Sequence, residues 1–501
     1  MSDDSASLSA ATENADFSDL ELPRLGPRGA VKHFGPGMIL MMTGIGTSHL
    51  VTAPVAGGRF KYALLWCIPV AYVFKYYGFE MAFRFTHATG RSMLDAYATA
   101  WRKWPLHYVL VTTLIQCAVG QAGRLIAASA VLYFFFAEFI GVEIPPWVFA
   151  LVLGTLSVAI LLRGKYSALE LSAKIAAGIL FVSALAVYCV KLAPLSSLGH
   201  LFVFDAPSGS WLIIAAFLGL LPTGIDVSLQ ASEWGRAKRV GTGRIRKQLE
   251  TSGLATRAFD PLTSPKEDLS VDVDKLHPHA REYCRRWFAI GLWDFRIGYI
   301  VSFLIASIFL LLAAVWIYPS ELKDIAVMGE IATIFTRSVG AWMMIVFLVG
   351  AFAATFSTAF NYFDGWPRVV AVCCRNIFPA TASLHGIGAD ELTPRHRRTW
   401  YSEYNLYRGT MFFSLIASVA IIAGVPKPVW LVLVASALAF FIAPVIFFLN
   451  LYYCLTIIPK NDKIFYPSKA TVWFSWVSFV IFTGLSGILI LARVFGIQLF
   501  G

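Results

Sequence analysis

Two stretches of this chain place small, polar and helix-breaking residues in the middle of apolar runs. In residues 35–66, GPGMILMMTGIGTSHLVTAPVAGGRFKYALLW, the interruption is Gly44, Gly46, Thr47, Ser48 and His49. In residues 211–234, WLIIAAFLGLLPTGIDVSLQASEW, it is Gly219, Pro222, Thr223 and Gly224. Backbone that leaves the helical ladder inside hydrocarbon must find other partners, and a cavity or a bound substrate supplies them. The chemistry on offer is therefore binding, through hydroxyls, an imidazole and opened carbonyls. No HExxH, GxSxG or Walker loop occurs in the sequence, so no catalytic residue, and no cofactor, is expected. The seven cysteines (Cys67, Cys117, Cys189, Cys284, Cys373, Cys374 and Cys454) form no CxxC and read as free thiols in or beside apolar runs.

The elements that must position these breaks are membrane spans. The chain has 501 residues, 57% hydrophobic and 14% charged, with a mean hydropathy of +0.67, far from the composition of a soluble domain. Apolar runs of about 20 residues, each long enough to cross the hydrocarbon core, fall near 36–57, 62–83, 106–137, 146–163, 168–192, 211–232, 288–318, 332–365, 404–425, 428–458 and 469–495. This predicts eleven spans in an all-α polytopic protein. Residues 1–33 are polar and acidic, with no basic stretch ahead of an apolar one, and are read as a disordered tail.

A net charge of +11 raises the question of nucleic acid, and the position of the charges answers it. Arg84, Arg91, Arg102, Lys103, Arg163, Lys165, Arg368, Arg375, Arg395, Arg397 and Arg398 all fall on one side of an eleven-span count. The longest loop, 236–286, carries twelve Lys/Arg against seven Asp/Glu on that same side. By the positive-inside rule that side is cytoplasmic. The expectation is a multi-pass protein of the cell membrane with its N-terminus inside and its C-terminus outside. Its partners would be the bilayer and a small substrate, not nucleic acid.

The two broken spans are the first and the sixth. Five spans apart, they match an inverted five-plus-five repeat, with the breaks meeting near mid-membrane. Repeat one would cover about 36–192, repeat two about 211–458, and 469–495 would be an additional helix, all within a transporter domain of 34–501.

At this point the residues reach a family. Gly35-Pro36-Gly37, Ala56-Gly57, Tyr62, Leu64-Leu65-Trp66 and Thr89-Gly90-Arg91 fall in a register that resembles the natural resistance-associated macrophage protein (NRAMP) family of divalent-metal transporters. The resemblance implies a leucine-transporter-like fold, alternating access, and a substrate site between the unwound parts of the first and sixth helices. GTSHL, FKYYGFE at 74–80, DFRIGY at 294–299 and FSTAFNYFDGWPR at 356–368 look similar to a divergent bacterial branch filed under the same name.

The same register exposes departures. The family's first-helix Asp-Pro-Gly-Asn falls on Gly46-Thr47-Ser48-His49, and its sixth-helix Met-Pro-His on Leu221-Pro222-Thr223. A metal-neutralising carboxylate and a thioether are therefore replaced. The acidic pair that the family uses for proton movement in the third helix aligns with Gln121 and Arg124. The implied substrate-binding set is Gly46, Thr47, Ser48, His49, Leu221, Pro222, Thr223 and Asp226. Gln121 and Arg124 would govern coupling or charge selection, and Asp364 with Arg368 would form a gate.

Charge ranks the possible substrates. His49 and Asp226 could ligate zinc or manganese, yet Arg124 nearby would repel a cation. An anion or polar organic solute fits the opposite way, with Arg124 and His49 as donors. The family resemblance favours a divalent metal; the replaced residues favour the small anion or polar solute; a non-transporting sensor is a third reading. Plainer roles also stand: His49 bonding a freed carbonyl, Arg124 paired with Glu170 or Asp226, and Lys75–Glu80 and Asp294–Arg296 as internal ion pairs or snorkelling groups.

Overall fold

The computed structural model describes residues 20–24, 46–164, 167–255, 259–322, 326–382 and 399–495, and within these every regular element is a helix. A π-helical turn at Ser48–Thr52 runs into α1 (Ala53–Phe60). Then follow α2 (Cys67–Thr89), α3 (Trp101–Ile140), α4 (Pro146–Leu162) and α5 (Ser167–Val190). The sixth span is split into α6 (Trp211–Leu220) and α7 (Val227–Ala237). After it come α8 (Pro278–Trp316), the short α9 (Val327–Ser338), α10 (Met343–Ile377), α11 (Glu403–Gly424), α12 (Pro428–Ile457) and α13 (Lys469–Phe495). Six of these, α3, α8, α10, α11, α12 and α13, are long and apolar enough to span a membrane alone. Shorter apolar helices lie in α4, α5 and α6, and these, with the first segment and α2, occupy the positions of the other five predicted spans.

Two expectations change. The predicted span 332–365 merges two elements: Gly340 and the turn at 340–342 separate α9 from α10, and α10 then runs on to Ile377. Apolar residues on the buried face of α9 (Val327, Met328, Ile331, Ala332, Ile334, Phe335) carried the hydropathy signal across that junction. In the first span, Thr47, Ser48 and His49 are helical rather than unwound. Pro54 lacks an N–H, and the Ala53 N–H reaches back five residues to the Ser48 carbonyl, which makes this turn π-helical. Residues 34–45, where the rest of the expected break lies, are outside the described residues.

Glycines let the helix axes approach closely. A Cβ on Gly57 would stand 2.1 Å from the Leu310 carbonyl oxygen, so α1 meets α8 backbone to backbone. A Cβ on Gly219 would stand 2.0 Å from the Ser436 carbonyl oxygen, and α6 lies equally close on α12. Small-residue contacts of this kind replace the hydrophobic drive that helices lack inside lipid. On the basic side the 236–286 loop folds back onto α2: Thr242 Oγ1 donates to the Ala88 carbonyl and Arg246 to the Thr89 carbonyl, satisfying the last turn of that helix. Residues 20–24, inside the stretch read as a disordered tail, pack on the start of α8, where the Leu20 carbonyl is 2.8 Å from His279 Nε2.

Candidate substrate site

The break in the sixth span follows from its sequence. Pro222 cannot donate to the ladder, and Leu221 turns extended (φ −91°, ψ 129°), so α6 stops and α7 restarts at Val227 with Asp226 at its N-cap. The opened carbonyls do not wait for a ligand. The Lys75 ammonium, fully buried on α2, donates to the carbonyls of Gly219 (2.7 Å), Leu221 (2.8 Å) and Thr223 (2.6 Å). Each half-helix end thus has its own counter-charge, with Lys75 at the negative C-terminus of α6 and Asp226 at the positive N-terminus of α7. The expected Lys75–Glu80 pair is replaced by a Glu80–Arg84 pair at 2.6 Å, one turn along α2. Arg296 donates to the Tyr76 hydroxyl.

On the other side of the break lies a second buried cation. Arg124 of α3 is 2% exposed, and its guanidinium carbon sits 3.7 Å from the ring centre of Tyr362 and 4.6 Å from that of Trp366. One nitrogen donates to the Gly120 carbonyl at 2.7 Å; Nε and Nη2 are buried without a hydrogen-bond partner. The two rings tie this cation to the break, because Tyr362 shares a 2.9 Å hydrogen bond with Thr223 and Trp366 Nε1 donates to Asp226 Oδ2 at 3.1 Å. Asp226 Oδ1 has no partner, nor has either polar atom of the Gln116 and Gln230 amides. Gln121 donates to the Ala359 carbonyl and leaves its own oxygen unpaired. Gly120 makes room for this group: a Cβ there would lie 2.2 Å from Gln116 Oε1, 2.7 Å from Trp366 and 3.1 Å from Arg124 Nη1. Buried polar atoms left unpaired cost about 1–3 kcal/mol each, so a concentration of them is where a polar ligand has most to offer. The pairing of Arg124 with Asp226 as one salt bridge does not appear, and the Glu170 side chain is outside the described residues.

His49 belongs to a different corner. Its Nδ1 is 3.0 Å from Ser48 Oγ, and its Nε2 is 3.1 Å from the Tyr72 hydroxyl and 2.9 Å from Ser302 Oγ. The Tyr72 hydroxyl and Ser302 Oγ are themselves 2.6 Å apart. His49 therefore docks the π-turn onto α2 and α8, while the side chains of Thr223 and Asp226 bond Tyr362 and Trp366 of α10. Among the described residues no contact joins His49 to Thr223 or Asp226, and no group of three His, Cys, Asp or Glu side chains gathers. Gly46 approaches α10, where a Cβ would stand 2.1 Å from Thr358 Oγ1.

Toward the basic side, Asp364 is shared by three elements. It binds Arg368 one turn along α10 at 2.7 Å, and it accepts from Trp234 of α7 and Tyr407 of α11, both at 2.7 Å. Since Arg368 is on the same helix, the contacts that cross between elements are those of Trp234 and Tyr407.

Sequence reasoning missed Gln116, Gln230, Tyr362, Trp366 and the target of Lys75. A signal did exist for some. Gln116, Gly120 and Arg124 are spaced i, i+4, i+8, and Tyr362 and Trp366 are spaced i, i+4, so each set lines one helix face.

This architecture, helical throughout the described residues and polytopic, with a sixth span broken at Pro222, is that of a multi-pass membrane transporter of the leucine-transporter-like fold. The model of the natural resistance-associated macrophage protein-like family matches residues 37–492, and the chain belongs to that family. An uncharacterised protein of Pasteurella multocida (strain Pm70) is 23% identical over 351 residues, covering 67% of this chain and 68% of that protein. Among solved structures, the manganese transporter of Eremococcus coleocola superposes with a TM-score of 0.59 at 13% identity, covering 97% of this chain and 93% of the other. Inward-facing Mhp1 superposes with a TM-score of 0.52 at 13% identity, covering 93% and 92%. At such identities these likenesses concern the fold.

Proposed function

We propose that this transporter works by alternating access and that its central site takes a small polar solute presenting one anionic group, such as a carboxylate or bicarbonate, in preference to a bare divalent cation. The observation that carries this reading is Arg124: a buried guanidinium, stacked on two rings, with two nitrogens unpaired beside the broken span. Of the three ionisable groups at the break, Lys75 and Arg124 are positive and Asp226 negative, one positive charge in excess. A monoanion would balance that excess and hydrogen-bond the free nitrogens, while the unpaired Gln116 and Gln230 amides supply neutral donors and acceptors. A divalent cation would add to it in low dielectric, the costly direction.

The second reading is a divalent metal. Family membership favours it, as does one site feature, the unpaired Asp226 Oδ1. His49 and Asp226 would need to come together, which requires His49 to leave Tyr72 and Ser302. Uptake into proteoliposomes decides between the two. Radiolabelled acetate or bicarbonate should accumulate where Mn²⁺ does not; accumulation of Mn²⁺ with no anion uptake would reverse the assignment.

In the same scheme Asp364, with Trp234 and Tyr407, is the gate on the basic side, and that side is cytoplasmic in the cell membrane. Twelve basic residues in the 236–286 loop support the orientation. A cysteine introduced in that loop should resist membrane-impermeant thiol reagents applied to intact cells, and labelling from outside would invert the topology.

A further inference from the structure

We propose that Lys75 is a built-in replacement for a dissociable monovalent cation. The carbonyls that it binds form a cation site of their own, and removing the side chain leaves a vacancy for a small ammonium or alkali cation. This inference does not rest on the sign of the transported substrate, and its test reads stability rather than uptake.

Three carbonyl oxygens from one broken helix, Gly219, Leu221 and Thr223, converge on a single nitrogen at 2.6–2.8 Å. An ammonium has three N–H donors, so these contacts use every one of them. Lys75 is fully buried, and its three carbonyl partners lie at the break around Pro222, where the helical ladder stops. Elsewhere, oxygens of this kind, unwound backbone carbonyls with the negative end of a half-helix behind them, coordinate free cations in transporters. Here the cation is tethered to α2 and cannot leave with a transport cycle. The same helix holds the π-turn of the first span one turn earlier, through Tyr72 and His49. Helix α2 thus contacts both the first and the sixth span with two side chains, and the sixth-span break keeps its counter-charge whether or not substrate is present.

The prediction concerns which proteins respond to added cations. Purified Lys75→Ala should unfold at a lower temperature than the wild type, and methylammonium should raise that midpoint by several degrees in a saturable way. Tetramethylammonium at the same concentration, with the same charge but no N–H donor, should not. The wild type should respond to neither. Lys75→Met keeps the apolar stem without the charge and separates volume from charge; its midpoint should fall as that of Lys75→Ala does. A Met variant as stable as the wild type would overturn the proposal, because the carbonyls would then need no cation. So would an Ala variant that no small cation rescues, or one rescued equally by tetramethylammonium. If Lys75→Ala cannot be purified in any salt, the comparison of Lys75→Met with Lys75→Arg decides: recovery of Arg but not Met supports the assignment, and recovery of Met overturns it.

Discussion

The corner around His49, in the first span, and the corner around Arg124, beside the broken sixth, are both buried, yet they differ in how their polar atoms are spent. At His49 both ring nitrogens have partners, supplied by Ser48, Tyr72 and Ser302, and the contacts link three helical elements. At Arg124 two guanidinium nitrogens, one Asp226 oxygen, and the amides of Gln116 and Gln230 have none. A satisfied buried network rigidifies a core, whereas an unsatisfied one is unstable until something fills it. On the proposed reading, this contrast places His49 with the architecture and Arg124 with the ligand. It also shows why residue type is a poor guide here: the imidazole, the side chain that most suggests metal or proton chemistry, is the one already engaged.

The sharpest way to break this contrast is to reverse the charge at Arg124. If the solute is anionic, Arg124→Glu should lower uptake by at least about a hundredfold, since it removes charge-assisted hydrogen bonds of roughly 1.5–3 kcal/mol each and adds repulsion. Proteoliposome uptake measured alongside the thermal midpoint separates lost transport from lost folding. Retained or improved Mn²⁺ transport in the reversed variant would transfer the site to the metal reading.

His49→Ala tests the opposite corner. It removes both ring nitrogens from their partners and leaves the buried Tyr72 and Ser302 hydroxyls one partner short, so the expected result is a loss of about 1–3 kcal/mol of stability. Affinity for the solute, measured on the folded fraction, should change less than threefold. Abolished binding at unchanged stability would return His49 to the substrate site.

A smaller effect is expected at the gate proposed on the basic side. Trp234→Phe deletes a single hydrogen bond to Asp364, of about 0.5–1.5 kcal/mol, and should shift the conformational balance toward opening on that side by up to about tenfold. Reactivity of a cysteine placed at Ser228 reports this; no increase would mean that Tyr407 and Arg368 hold Asp364 without it.

Much of this is legible in the sequence, and the reasons for the exceptions are physical. Span positions follow from hydropathy, and the break in the sixth span from Pro222 and its flanking glycines, because both are local properties. The boundary at α9 was hidden because one amphipathic face looks as apolar as a span when only composition is counted. The helical state of Thr47–His49 was hidden because glycine and serine permit a break without requiring one. Lys75 illustrates the main limit: its partners lie about 145 positions away in sequence, and only the packing of α2 against α6 and α7 reveals that it answers the break rather than Glu80. The sequence register singles out Arg124 where an acid is expected, but that its Nε and Nη2 lack hydrogen-bond partners is a three-dimensional fact.

The mildest substitution sharpens the comparison most, because there the sign of the effect carries the information. Gln116 is 1% exposed, and neither atom of its amide has a partner. If it were structural glue, Gln116→Leu would destabilise the protein as the loss of a buried hydrogen-bonded group does. If instead the amide is held ready for a ligand, replacing an unsatisfied polar group by an apolar one of similar volume removes a standing penalty. The empty protein should then be unchanged or more stable, by roughly 1 kcal/mol. The substrate should bind more weakly, since it loses a partner beside Arg124. Stability and affinity are expected to move in opposite directions, which a packing role cannot produce. Calorimetric unfolding with and without acetate or bicarbonate reads both at once. A Leu variant that is less stable and binds its substrate normally would place Gln116 with His49, on the architectural side of the contrast.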